Sequence, residues 1–185
     1  MFKEFFDELI QTSKPIGLGK FTFFNRYDSI NVVDSFKVKS DERLRILEVK
    51  AFNEFAIHSS GRLMDRDVRS IHIVATFQIN QDTGGFYLSP DTFVDKIMDL
   101  FLNQDVDFDN NKLFNNKYKV LANDADRVKD SLSDDFLDYA SKLDYLELEV
   151  IGQRVVFCIS RNPSTKLILK ETINVGLALN VLLNK

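Results

Sequence analysis

Tryptophan is absent from the 185 residues, cysteine occurs once and histidine twice. A single cysteine, Cys158, cannot close a disulfide within the chain. Such sparing use of thiols fits a reducing compartment, so a cytoplasmic protein is expected. His58 and His72 fall on separate elements, and no ligand spacing links them to Cys158 or to the acids as a zinc site would require. Neither metal nor cofactor is expected. No apolar run approaches the roughly 20 residues that cross a bilayer. Glu4, Asp7 and Glu8 interrupt the stretch that a secretory signal would keep apolar. A soluble chain with no integral membrane segment follows. The formal net charge is −4 and no basic stripe stands out, which disfavours a protein that binds nucleic acid by neutralising phosphates. There is no internal repeat and no low-complexity segment.

What the chain has in quantity is phenylalanine, 17 in all, within a composition 44% hydrophobic and 28% charged. That balance is ordinary for a globular protein, and the length fits one domain over residues 1–185. At the N-terminus Phe2, Phe5, Phe6, Leu9 and Ile10 follow helical spacing, opposite Lys3, Glu4, Asp7 and Glu8. An amphipathic helix packed on its own domain is expected. A partner groove is the alternative, and the acidic polar face disfavours an anionic membrane. Gly17-Leu-Gly19-Lys20 resembles a phosphate loop only superficially, because Lys14 and Phe21 occupy the positions that need Gly and Ser or Thr.

Strands are expected at 21–24, 30–38, 44–55 and 70–79, with a hairpin joining the first two. In the third, Leu47, Val49 and Ala51 lie opposite Leu44, Ile46 and Phe52. Apolar residues on both faces suggest a central strand covered twice, with a helix as the alternative because Glu48, Lys50 and Glu54 suit either state. Ser59-Ser-Gly61 breaks the chain, and the charged run Arg62 to Arg69 reads as a solvated loop or short helical turn. Leu167 to Leu183 is apolar around most of a helical surface and should be buried.

The most legible stretch is 84–160. A short strand at Phe86 to Leu88 leads to Ser89-Pro90-Asp91, a helix start by capping and by the place of proline. Phe93, Ile97, Leu100 and Phe101 form the stripe of a helix over 91–102. Asp105-Val-Asp-Phe-Asp109 alternates acid with hydrophobe, placing Val106 and Phe108 inward. After a turn at Asn110 and Asn111 comes a strand at 117–121. Helical segments over 124–143 follow, capped by Asn123 or Asp124 and restarted at Ser133. Leu146, Leu148 and Val150 then alternate with Glu147 and Glu149. Gly152-Gln153 joins them to Arg154–Ser160 as a hairpin with glycine at the first central position.

That order of elements, with its aromatic-Leu strand, its Asp-x-Asp-Phe run and its Phe114, Tyr118 and Val120 spacing, resembles a family of uncharacterised bacterial proteins. These are domains of unknown function, often carried behind predicted membrane segments. The resemblance covers residues 84–160 and implies a fold without an active site. The chain departs from the pattern at Asn115-Asn116 and in lacking membrane segments.

Candidate chemistry is sparse. Asp105, Asp107 and Asp109 suggest a calcium loop, but Asn110 and Asn116 stand where glycine and a bidentate glutamate belong, so a solvated strand face is expected. Cys158 reads as a small buried hydrophobe. His72 reads as solvated or hydrogen-bonded, and Glu147 and Glu149 read as an exposed strand face. The expected fold is α+β, a mostly antiparallel sheet with packed helices, with parallel crossovers left open around 86–121. The expected function is a non-enzymatic protein-interaction or scaffold domain, with a protein partner or self-association. The alternative is a small-molecule-binding protein or small enzyme using scattered acids, Arg62, Arg66, Arg69 and a histidine.

Overall fold

The computed structural model describes residues 7–12, 18, 21–24, 27, 29–53, 56–57, 63–64, 68–90, 104–160 and 166–185. Its strands are β1 (Leu9–Gln11), β2 (Ser29–Val38), β3 (Asp41–Asn53), β4 (Ala56–Ile57), β5 (Leu63–Met64), β6 (Val68–Gln78), β7 (Phe86–Pro90), β8 (Gln104–Asp105), β9 (Tyr118–Ala122), β10 (Glu147–Ile151) and β11 (Arg154–Cys158). Its helices are α1 (Lys112–Asn115), α2 (Ala125–Ser131), α3 (Asp134–Lys142) and α4 (Lys166–Leu182), with a 3₁₀ turn at Thr22–Phe24.

Among the described residues, nine strands form one sheet in the order β1-β2-β3-β6-β11-β10-β7-β9-β8, and β4 pairs with β5. Every pairing is antiparallel, including β7 with β9. The fold is therefore α+β, as the sequence implies. The hairpin β10–β11 lies between β6 and β7, which follow one another in the chain. Gly152 starts its turn at φ +59°, a conformation that glycine adopts without steric cost.

One face of the sheet carries the larger core. Leu44 and Ile46 of β3, Ile73, Ala75 and Phe77 of β6, Leu148 and Val150 of β10, and Val155 and Phe157 of β11 meet apolar residues of α2, α3 and α4 there. The opposite face holds a smaller cluster. Leu47, Val49, Val74, Tyr87, Val156 and Cys158 pack against Leu18, Phe21 and Phe24. β3 is thus covered on both sides, which accounts for its two apolar faces.

The helices begin where their capping residues stand. The Asp124 carboxylate accepts from the Arg127 amide at 3.1 Å, and the Ser133 hydroxyl accepts from the Phe136 amide at 3.3 Å. Val128, Phe136, Leu137 and Ala140 are buried behind those caps. α4 lies across β3 and β6 and buries Leu169, Ile173, Val175 and Leu179, with Leu183 buried just past its end, while Leu167 and Val181 remain exposed. Its end is tied to the sheet by amides: Asn180 donates to Asp41, Asn184 donates to the Asn180 side chain at 2.7 Å, and the Asn80 amide donates to Asn184 at 2.7 Å. Among the described residues no helix is long and apolar enough to cross a membrane.

Several expectations need correction. Leu9 and Ile10 are in β1, paired with Val38 and Lys37, because an edge of the sheet is open to them; Phe2, Phe5 and Phe6 lie outside the described residues. Residues 22–24 form a 3₁₀ turn rather than a strand. Ser89 and Pro90 close β7 opposite Lys119 and Tyr118 and do not open a helix; the expected helix over 91–102 lies outside the described residues. Within the charged run after Ser59-Ser-Gly61, Leu63–Met64 is a strand and β6 already begins at Val68. The turn after Asp109 contains α1, capped by Asn111, whose side chain accepts from the Phe114 amide at 3.0 Å. Asn115 bonds Phe108 reciprocally, its oxygen accepting from the amide at 3.1 Å and its nitrogen donating to the carbonyl at 3.0 Å. That pairing clamps the segment carrying Val106 and Phe108, both of which are buried.

Candidate functional site

The polar groups with chemical capability gather on the smaller-core face, near Leu18, Phe21–Phe24 and Tyr27. Glu147 and Glu149 are only 0% and 1% exposed, which corrects the expectation of a solvated pair. Alternation along β10 does put both on one side, but that side is covered. They stand opposite Cys158 and Val156 of β11, which belong to the smaller core.

Each carboxylate is held by a different part of the chain. The hydroxyl of Tyr87 on β7 donates to one oxygen of Glu147, and that of Tyr145 donates to the other at 2.6 Å. Glu149 accepts from the backbone amide of Thr22 at 2.9 Å. The first amides of a short helical turn have no partner inside the turn, so a carboxylate from the sheet supplies one. Further along, the Tyr27 hydroxyl and Nε2 of His72 lie 2.9 Å apart, with their rings tilted at 51°. His72 is buried and hydrogen-bonded, as one of its two expected states. Glu149 and His72 thereby fasten Thr22 and Tyr27 to the sheet, while Glu147 ties β10 to Tyr87 of β7 and to Tyr145.

Beside this fastening a cleft of about 290 Å³ opens, lined by Phe21, Gln78, Ile151, Gln153 and Arg154. Ile151 pairs with Arg154 across the hairpin, and Arg154 pairs with Gln78 of β6. Directly paired residues share a face, so these three side chains form a row across three strands. Phe21 is buried, whereas Ile151 is 41% exposed and Gln78, Gln153 and Arg154 are exposed. Gln153 donates to the Asn80 carbonyl at 2.9 Å. The guanidinium of Arg154 makes no ion pair among the described residues. The arrangement offers one cation and amide groups next to apolar walls.

The other candidates are dispersed. Asp105, Asp107 and Asp109 are exposed, and Asp105 pairs with Lys119 at 3.0 Å. Cys158 is buried, 2% exposed, within the smaller core. Arg69 is in β6, while His58, Arg62 and Arg66 lie outside the described residues. No group of three or more His, Cys, Asp or Glu able to hold a metal occurs among the described residues. The cleft escapes a reading of the sequence because its lining comes from the segment after Gly19, the end of β6 and a hairpin turn, which only the sheet order brings together.

Comparison of the chain with protein-family models, with curated proteins and with solved structures returns no match.

Proposed function

We propose that the protein is a non-enzymatic interaction domain that presents the cleft beside the 3₁₀ turn to a partner protein. The observation that supports this reading is how the capable side chains are used. Glu147, Glu149 and His72 hold hydrogen bonds that fasten one part of the chain to another, whereas Gln78 and Arg154 are presented to solvent beside Ile151. General acid–base work needs a proton-transferring group within reach of substrate, and these buried groups reach tyrosines and a backbone amide. An exposed Arg beside apolar side chains is the composition of a protein-binding patch. The resemblance to bacterial domains carried behind membrane segments adds a setting, in which the partner belongs to a membrane-associated complex.

Photo-crosslinking tests the reading, with a benzophenone amino acid placed at Gln153 of the full chain and the adducts identified from native cells. One protein partner is expected, its adduct lost on Ile151→Asp and retained on Glu149→Gln. A metabolite that raises the melting temperature and is chemically converted by the protein would overturn it.

A further inference from the structure

We infer that the cleft is a carboxylate-recognition site for a partner peptide, taking one acidic side chain together with the apolar residue next to it. The inference rests on the interaction reading and names the chemistry of the partner. Arg154 supplies the anion contact. Its planar fork of donors matches a carboxylate with two parallel bonds. Its neighbours in the row are Ile151 on one strand and Gln78 on the next, so the cation stands between an apolar wall and an amide. Phe21 provides a buried aromatic contact at the side of the cleft. Neighbouring strands are about 4.8 Å apart, so adjacent members of the row suit the side chains of neighbouring residues in one short segment. The volume of about 290 Å³ lies at the lower limit of sites that enclose a small organic ligand, roughly 300–1,000 Å³. That size suits one or two side chains of a longer chain that runs out over the surface. Among the residues that line the cleft Arg154 is the charged one, so the attraction it offers is for an acidic group.

The test uses the full chain labelled with ¹⁵N and two blocked tetrapeptides, acetyl-Ala-Leu-Glu-Ala-amide and its Gln counterpart. Saturable shifts at the amides of Ile151, Gln153 and Arg154 are expected with the Glu peptide. Replacing its Glu by Gln should weaken binding about tenfold, the scale of a hydrogen bond to a charged group. Arg154→Gln should weaken it to the same degree, with an unchanged melting temperature, because Arg154 is exposed. Equal binding of the two peptides, or unchanged binding to R154Q, would overturn the carboxylate assignment. If Gln153 crosslinks to a partner in an Ile151-dependent manner that R154Q does not alter, the interaction reading stands and this one falls. Tighter binding of free succinate than of the Glu peptide would overturn both. Concentration-dependent dimerisation abolished by R154Q would assign the cleft to a second copy and overturn the peptide proposal.

Discussion

Gly176 of α4 sits directly over Leu44 of β3: a Cβ on the glycine would lie 2.9 Å from each δ-carbon of Leu44 and 3.2 Å from Cζ of Phe157. Leu44 and Phe157 are both fully buried, so neither has free space to move into. The missing side chain sets how closely the helix approaches the sheet.

Gly176→Val should therefore destabilise the fold by about 1–3 kcal/mol, the usual cost of overpacking a filled core. Gly176→Ala should cost less, since alanine recovers roughly 1 kcal/mol of helix propensity. Urea denaturation of both variants measures the difference. A valine variant as stable as the parent would mean that α4 shifts on the sheet without penalty.

Stopping the chain after Lys170 should leave it unfolded or aggregated. Ile173, Val175, Leu179 and Leu183 are buried, and full burial of each such side chain is worth roughly 1.5–3 kcal/mol. Together they match a typical net stability of about 5–15 kcal/mol. Size-exclusion chromatography with circular dichroism decides it, and a folded truncate of parental heat resistance contradicts the expectation.

Glu149→Ala removes the acceptor of the Thr22 amide. The expected loss is about 1–3 kcal/mol, that of an unsatisfied buried donor, and hydrogen exchange at Thr22 should accelerate. Glu149→Gln keeps an oxygen and should restore much of the protection. Unaltered exchange in the alanine variant would show that the segment is held by its apolar contacts alone.

Acid should loosen the join between the β2–β3 turn and α4. Burial opposes ionisation of Asp41, but the backbone and side-chain bonds of Arg43, its charge and the Asn180 amide outweigh that effect and hold the carboxyl below its ordinary value of 3.8. A pKa lower in the folded state than in the unfolded state favours folding above the unfolded value, and the benefit fades as pH falls through the folded value. Stability should thus drop as pH falls below 3.8, and Asp41→Asn should reduce that part of the acid sensitivity. Thermal melts of the two proteins at matched pH provide the comparison, with parallel acid profiles as the contrary result.

The sequence reveals those features whose causes are local. Asp124 and Ser133 cap helices because a side-chain oxygen meets an amide three residues on, and Gly152 marks its turn by a backbone conformation. The two-sided β3 is legible from alternation. The burial of Glu147 and Glu149 had a signal too. Val156 and Cys158 alternate with Val155 and Phe157, so β11 is apolar on both faces. Its hairpin partner had to be covered on both faces as well. The 3₁₀ turn and β1 had no such mark, since their state depends on a carboxylate and a sheet edge distant in the chain. Asn115 is spent on the backbone of Phe108, a use that its identity alone does not disclose. The cleft depends on strand order, which alternation within single strands does not encode.

The order of the central strands bears on how the chain is made. A ribosome releases β6 and β7 early, yet in the finished sheet they are held apart by β10 and β11. Until the hairpin arrives, each has an unpaired edge where its final neighbour belongs. Non-local pairing of this kind slows folding and exposes strands to wrong partners. β1, β2, β3 and β6 can pair among themselves as they are made, but β6 and β7 each keep one open edge until β10 and β11 enter between them. The hairpin is the wedge that completes the sheet.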